Sequence, residues 1–239
     1  MAELVGGPVL KAIEEAGVIL CIHGEQHGLP GEDYLAADRN AESLFYRDAM
    51  PGLLEAHPKL RIVCEHITTK EAAAFVRAAD PAQVGATVTP QHLLYTVGHL
   101  IQGLKYHMFC LPVVKFDADR DALREAVCEA GQTQFFAGTD SAPHSTKVTE
   151  CGCAAGCFTG GCAPQLYAMG FEAGGRELDA AAFEAFLCTN GPKFYGFAVS
   201  AQRFQMELVE NEMSTLQTPE GEVTPLPVGV GLTLDWKIL

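Results

Sequence analysis

The sequence predicts an α/β fold in which helices cover a parallel sheet. Short apolar runs alternate with stretches whose apolar residues recur at helical spacing, and this order repeats along most of the chain. Several runs are apolar throughout, as in parallel strands that are buried on both faces. Because strands and helices alternate, the strands must be joined by helical crossovers. Periodicity leaves open whether the sheet is open or closed into a barrel.

The first predicted unit is a helix followed by a strand. Apolar residues lie at helical spacing over residues 8–16, and Gly17 follows as a stop signal. Residues 18–22 then form an apolar run, which we expect to be a strand buried on both faces. This run ends abruptly in the polar residues of His23-Gly24-Glu25.

The same order of elements continues towards the C-terminus. The further predicted elements are strands over 60–64, 85–89 and 134–138, a helix over 42–56 interrupted at Pro51-Gly52, and helices over 70–79, 119–130 and 179–188, the last ending at Asn190-Gly191-Pro192. Residues 198–239 are punctuated by prolines and contain short β-like pieces. We therefore predict a main unit over residues 1–197 and an extension over 198–239 that packs on it.

Charge, hydropathy and cysteine content narrow the class of protein. The chain has 30 acidic and 16 basic residues, a formal net charge of −14, so we expect no nucleic-acid partner. No run approaches the ~18 apolar residues that cross a bilayer, and residues 1–5 do not resemble a secretory signal. Nine cysteines, an odd number, favour free thiols in the cytoplasm over a disulfide framework. The expected protein is cytoplasmic, with no membrane partner.

Three predicted strands lead into a side chain that can bind a metal: His23, His66 and Asp140. The carboxyl ends of parallel strands meet at one edge of the sheet, where active sites form. Two imidazoles and a carboxylate there suit a metal such as Zn²⁺, and Asp140 could also accept a proton from a water beside the metal. The alternative is that each polar residue only begins a loop, which is less plausible for three strand ends than for one.

Other histidines and a cysteine-rich segment admit two interpretations each. His92 and His99 are interpreted as loop or core residues, while His144 is expected in a loop that faces a ligand. Cys151, Cys153, Cys157 and Cys162 crowd into one glycine-rich segment. A structural zinc site normally pairs two cysteine elements across a longer loop, so we favour an active-site loop and keep structural zinc as the alternative.

Seven segments form a pattern when they are taken together: His23-Gly24-Glu25, Glu65-His66-Ile67-Thr68-Thr69-Lys70, Thr89-Pro90-Gln91-His92-Leu93, Cys110-Leu111-Pro112-Val113-Val114-Lys115, Gly138-Thr139-Asp140-Ser141-Ala142-Pro143-His144, Cys151-Gly152-Cys153 and Asn190-Gly191-Pro192. In order and spacing they resemble the bacterial type of single-domain dihydroorotase, a family of the amidohydrolase superfamily. The resemblance extends from about residue 8 to the C-terminus.

This resemblance implies a fold, a reaction and two metals. Members of the family are (β/α)8 barrels in which a carboxylated lysine and a hydroxide bridge two zinc ions, and they cyclise N-carbamoyl-L-aspartate reversibly to L-dihydroorotate in pyrimidine synthesis. By resemblance, His23 and His66 would bind the second zinc. Asp140 would bind the first and act as general base. His144 and the backbone of Leu111 and Ala154 would contact the substrate.

The sequence also departs from the family pattern. It contains no His-x-His pair, and the only lysine before His23, Lys11, lies in a predicted helix and not at a strand end. The resemblance therefore covers about the last four strands of the barrel plus the extension, without the lysine bridge. We expect little or no activity from this chain alone.

Three explanations of this incomplete pattern stay open. The chain is a gene-model truncation, a half-barrel that associates through its exposed edges as a homodimer or with a complementary N-terminal half, or a non-catalytic binding module.

Overall fold

A computed structural model describes residues 7–150 and 152–239 of the chain. Residues 1–5, considered above for a secretory signal, and Cys151 lie outside the described residues. A four-stranded parallel sheet is the central feature, and its strands follow one another in sequence order. These strands are β1 Leu20–His23, β2 Ile62–Glu65, β3 Val84–Val88 and β4 Phe135–Ala137. Each begins and ends within two residues of its predicted bounds.

Helices connect and cover these strands, as the alternation in the sequence predicts. The α-helices are α1 Pro8–Glu15, α2 Gly31–Tyr34, α3 Ala41–Leu44, α4 Met50–Ala56, α5 Lys70–Ala78, α6 Pro90–Leu94, α7 Val97–Ile101, α8 Asp117–Cys128, α9 Ala163–Glu172, α10 Ala180–Glu184, α11 Asn190–Tyr195 and α12 Leu226–Val230. Short 3₁₀ turns lie at Tyr106–Met108 and Gly160–Cys162. No helix among the described residues is long and apolar enough to span a membrane.

The expectation that the first strand is buried on both faces is wrong. Along β1 the side chains of Cys21 and His23 are exposed, while Leu20 and Ile22 are half-buried. The strand pairs only with β2 and forms one edge of the sheet. One face of β1 is therefore open in this structure, although β1 is as apolar in sequence as the buried strand β3.

Two predicted helix breaks are also wrong, and both for the same reason. The helix over 41–56 continues through Pro51, and the helix that begins at Ala180 continues through Pro192 to Tyr195. A π-helical turn precedes each proline, at Phe45–Ala49 and at Ala185–Thr189. Proline lacks an N–H and its ring crowds the carbonyl one turn earlier. The wider turn changes the hydrogen-bond pattern just before the proline and lets the helix continue.

The main hydrophobic core lies between the sheet and its helices. Ile62, Cys64, Val84, Ala86, Val88 and Phe135 from the strands pack with Leu53, Val76, Leu123, Val127, Tyr167 and Phe171 from the helices. Each fully buried side chain of this kind contributes about 1.5–3 kcal/mol. Val63 and Phe136 point to the other face of the sheet and pack on Phe194. The core thus fixes the strands and leaves their carboxyl ends free to carry polar residues.

The C-terminal residues form short antiparallel pairs, in agreement with the β-like pieces expected there. Met206–Asn211 (β7) pairs with Leu234–Ile238 (β10), and Leu216–Thr218 (β8) pairs with Gly221–Val223 (β9). Two short strands earlier in the chain, β5 Val148–Thr149 and β6 Gly152–Cys153, pair with each other in the antiparallel sense. Trp236 donates from Nε1 to Glu172 in α9 at 2.8 Å, which attaches β10 to the main unit. The division between residues 197 and 198 stays a prediction.

Candidate active site

His23 and His66 come together at the carboxyl ends of neighbouring parallel strands. His23 is the last residue of β1 and lies in register with Glu65, so His66 follows one residue later. The Nδ1 atom of His23 is 3.4 Å from the Nε2 atom of His66, and the two rings meet edge to face. Two residues that are 43 positions apart in sequence therefore present ring nitrogens to the same point.

The separation of these nitrogens fits a shared metal. Two nitrogen ligands at ~2.0–2.1 Å from a tetrahedral zinc are roughly 3.3–3.4 Å apart. The other ring nitrogen of His66, Nδ1, is buried and has no hydrogen-bond partner among the described residues. Burial and the neighbouring His23 lower the pKa of His66, which favours the neutral, ligand-competent imidazole. Within residues 7–150 and 152–239, however, no group of three or more His, Cys, Asp or Glu side chains could hold a metal.

A carboxylate and an ammonium fix the orientation of His23. Its Nε2 atom lies 2.8 Å from Glu25, and Glu25 is 3.9 Å from the buried ammonium of Lys115. The bond to Glu25 raises the pKa of His23 although partial burial opposes the shift. Burial alone would raise the pKa of Glu25, but the contacts with His23 and Lys115 outweigh it and lower that pKa. Such an outer carboxylate leaves Nδ1 as the nitrogen available to a metal.

The loop that carries His66 is held by its backbone. His66 has a φ of +40°, and its N–H donates to the hydroxyl of Thr87 at 2.6 Å. Two residues later, the buried carboxylate of Glu42 accepts hydrogen bonds from the N–H and the hydroxyl of both Thr68 and Thr69, at 2.5–2.8 Å. Thr69 also caps the following helix, because its hydroxyl accepts from Ala72 N at 3.2 Å.

Asp140 lies just beyond β4 and is exposed. Its φ is +43°, so it shares with His66 a left-handed backbone that non-glycine residues rarely adopt. Backbone strain of this kind is concentrated at functional sites. The charge of Asp140 acts to raise the pKa of both His23 and His66, which places the carboxylate within electrostatic reach of both rings.

The three expected substrate contacts lie on three loops. Leu111 is 41% exposed and follows the buried Cys110. His144 bonds through Nε2 to the carbonyl of Ala155 at 2.9 Å, so Nε2 carries a proton. The N–H of Ala154 donates to the carbonyl of Lys147 at 2.8 Å. In this conformation the Ala154 N–H is therefore already paired.

His92 and His99 have structural partners. His92 is buried, with Nδ1 2.6 Å from the hydroxyl of Thr89 and Nε2 3.0 Å from the carbonyl of Pro112, which confirms a core role. His99 accepts from Thr96 N at 3.1 Å at the start of α7. Both interpretations as structural histidines are confirmed.

The described part of the cysteine-rich segment, residues 152–162, contains short strand and turn pieces joined by loops. Cys157 and Cys162 are buried and Cys153 is half-buried, and all the described cysteines are free thiols. Among the described residues these sulfurs form no metal-binding group. Val148–Thr149 pairs with Gly152–Cys153 as a short hairpin, and the chain then passes beside Ser141 and Ala142.

Comparisons with known proteins agree with this geometry. No family model matches the chain. A curated dihydroorotase from Halorhodospira halophila is 41% identical over 232 residues, which cover 96% of this chain and 64% of that protein. Over nearly its whole length the chain is therefore similar to dihydroorotases. Crystal structures of dihydroorotases from Campylobacter jejuni and, in complex with 5-fluoroorotic acid, from Saccharomyces cerevisiae match it with TM-scores of 0.79 and 0.77 and identities of 28% and 25%.

The structural matches confirm the predicted fold class. The structural matches cover 97% and 99% of this chain but 64% and 67% of the other two chains. The chain spans less than two thirds of the length of the curated relatives that it matches first. Four parallel strands in sequence order are part of the family's (β/α)8 barrel, and the match is consistent with a C-terminal portion of it. The predicted fold is confirmed in this partial form.

Sequence reasoning missed the residues that support the site. Glu25 follows His23 by two positions in a polar strand end, and this spacing was a usable signal. Glu42 and Lys115 gave no such signal, because each is distant in sequence from the residue that it contacts. Glu42 is 26 residues from Thr68, and Lys115 is 90 residues from Glu25.

Proposed function

We propose that this chain forms the C-terminal part of a zinc-dependent dihydroorotase, which interconverts N-carbamoyl-L-aspartate and L-dihydroorotate in cytoplasmic pyrimidine synthesis. The observation that carries the proposal is the 3.4 Å approach of the His23 and His66 ring nitrogens at adjacent strand ends. The relatives that match nearly the whole chain are named dihydroorotases, which supports this substrate pair.

The roles of the residues follow from their chemistry. Zinc held by His23 and His66 would supply a Lewis acid for the ring carbonyl of the substrate. Asp140 takes a proton from the attacking water on its carboxylate and returns it to the ring nitrogen as the amide C–N bond breaks. In the direction of ring closure, the same carboxylate accepts the proton that the carbamoyl nitrogen loses.

His144 is proposed to bind the carboxylate of the substrate. Its Nε2–H is donated to the carbonyl of Ala155 in this conformation. A ring N–H of His144, in the neutral or the cationic ring, is a donor that suits this carboxylate. The backbone of Leu111 and Ala154 is proposed to meet the polar edge of the ring.

We further propose that the 239 residues alone do not turn over substrate. The described residues bring two imidazoles together but no third ligand. The sequence offers no strand-end lysine ahead of His23 to bridge two metals. A third or fourth ligand must therefore come from outside the described residues before the site is complete.

Metal content per chain tests the proposal directly. Purified protein is dialysed without chelator and analysed for zinc, alongside His23→Ala and His66→Ala. His27→Ala serves as the matched control, since His27 is an exposed histidine outside the pair. We expect up to one zinc per chain, lost in both site variants and kept in the control.

Two other results would change the proposal. Equal zinc in all variants would refute the pair as a metal site and favour a non-catalytic binding module. Two zinc ions per chain, or measurable cyclisation of N-carbamoyl-L-aspartate, would show that a second chain completes the site.

A further inference from the structure

Lys147 is a buried cation whose hydrogen bonds, among the described residues, all go to backbone carbonyls. Lys147 is 8% exposed, and its ammonium donates to the carbonyl oxygens of Phe109 at 2.9 Å, Ala154 at 2.6 Å and Gly156. No carboxylate among the described residues forms an ion pair with it. Burial of an unpaired ammonium is costly unless every proton is bonded. Three carbonyls satisfy the three protons, and a neutral amine would offer only two donors.

The three carbonyls belong to two separate segments. Phe109 precedes Leu111 in one loop, and Ala154 and Gly156 belong to the segment that follows the hairpin. The segments are also joined directly, because Gly156 N donates to the same Phe109 carbonyl at 2.9 Å. Lys147 therefore sits at the junction of the loops that carry Leu111 and Ala154.

The junction continues to the loop of His144. At Gly156 the φ is +134°, and a Cβ there would lie 2.5 Å from Ala142 Cβ and 3.0 Å from His144 Nε2. Only glycine fits this close approach. His144 in turn bonds to Ala155 O. The segment held by Lys147 thus passes directly against the loop that follows Asp140.

We propose that Lys147 is a positioning residue, whose ammonium holds the Leu111 loop and the Ala154 segment at the spacing needed to bind the substrate. The proposal rests on the proposed function, in which Leu111, Ala154 and His144 contact the substrate. Lys147 holds Ala154 on both sides, since its carbonyl accepts from Ala154 N and its ammonium donates to Ala154 O. When a substrate takes the Ala154 N–H, the ammonium still holds the carbonyl of the same residue.

Hydrogen exchange of the 239-residue chain, without zinc or substrate, tests the junction. The variants are Lys147→Met, which keeps the length of the side chain without its charge, and Lys147→Arg, which keeps the charge. Lys11→Met is the matched control, because Lys11 is exposed and far from the loops in sequence. A hydrogen bond to a charged group is worth about 1.5–3 kcal/mol, so exchange at Ala154 and Gly156 should accelerate roughly tenfold or more in Lys147→Met.

The pattern of exchange decides the outcome. Faster exchange confined to residues 109–111 and 153–157, partly restored in Lys147→Arg and absent in Lys11→Met, supports the proposal. Unchanged exchange in these segments overturns it, and so does equal acceleration in strand β2, which would indicate a general loss of stability. If Lys147→Met does not fold, Lys147→Gln, which also lacks the charge, is compared with the natural chain by the same criterion.

Ligand binding separates this proposal from the proposed function. Zinc-loaded natural chain and Lys147→Met are titrated with L-dihydroorotate, and zinc content is measured in both. Weaker binding of L-dihydroorotate with unchanged zinc is the result expected of a positioning residue. Equal binding by the two chains overturns that role. If the natural chain binds none, the proposed function fails, while the exchange result still decides whether Lys147 joins the loops.

Discussion

Replacing Glu42 by alanine should destabilise the fold and loosen the loop that carries His66. Glu42 is 1% exposed, and its Oε1 atom accepts from Thr68 N, Thr69 N and Thr69 Oγ1, each at 2.8 Å. The Oε2 atom accepts from Thr68 Oγ1 at 2.5 Å. One side chain from α3 therefore satisfies four donors at the junction between β2 and α5.

The geometry sets the size of the effect. In Glu42→Ala two buried N–H groups and two hydroxyls lose their acceptor, and each unsatisfied buried group costs about 1–3 kcal/mol. The hydroxyls can rotate to other acceptors but the N–H groups cannot, so we expect a loss of about 3–5 kcal/mol in the free energy of unfolding. In Glu42→Gln the amide oxygen replaces Oε1, and Thr68 Oγ1 can accept from the amide nitrogen. Only charge assistance is lost, at about 1 kcal/mol.

Urea unfolding of the two variants, beside Glu55→Ala as an exposed control, measures these differences. The control should stay within about 0.5 kcal/mol of the natural chain. The alanine variant should also bind zinc more weakly, because His66 is two residues from Thr68. The reasoning would be refuted if the alanine and glutamine variants had the same free energy of unfolding, since the number of satisfied donors would then be irrelevant.

Further predictions concern two glycines and one ion pair. Gly138→Ala should cost about 1–3 kcal/mol of stability, because its Cβ would lie 2.5 Å from the Cβ of buried Thr87. Gly52→Ala should instead stabilise the chain by up to about 1 kcal/mol, since this exposed helical position has open space. Thermal unfolding measures both glycine variants, and equal changes in their melting temperatures would contradict the packing argument. Glu25→Gln should lower the pKa of His23 in the metal-free chain, measured by NMR titration. In the natural chain the His23–Glu25 pair stabilises the fold above the ordinary Glu25 pKa of 4.5, and this stabilisation is lost as pH rises through the raised His23 pKa. A free energy of unfolding with the same pH dependence in Glu25→Gln as in the natural chain would contradict this role.

The parts of the fold that the sequence predicts are those in which local pattern and tertiary environment agree. Strand β3 is apolar in sequence and buried at every position. Helix α9 was not predicted for two reasons. Pro164 and the preceding cysteines suggest a loop, and the helix lacks an amphipathic pattern because residues on nearly all of its sides are buried. The continuation of the helix past Pro192 depends on a π-helical turn, for which the sequence carries no simple signal.

The candidate site divides in the same way. His23, His66 and Asp140 were predictable because each follows an apolar strand and breaks its pattern at once. Their partners were not, because Glu42 and Lys115 approach from elements whose position depends on the packed fold. A single sequence therefore reveals side chains that end strands more readily than the groups that orient them.

The charges around the two imidazoles provide an independent argument for a divalent cation. Glu25, Glu42 and Asp140 each act on the pKa of His23, and among the described residues the ammonium of Lys115 is the one cation that pairs with any of these carboxylates. With both imidazoles neutral, the carboxylates outnumber the ammonium by two charges. Such an excess is unfavourable at a partly buried site unless a cation enters, and a doubly charged ion between the ring nitrogens would balance it. Zinc should therefore lower the apparent pKa of both histidines and stabilise the fold more at pH 7 than at pH 5, where protons compete for the same nitrogens.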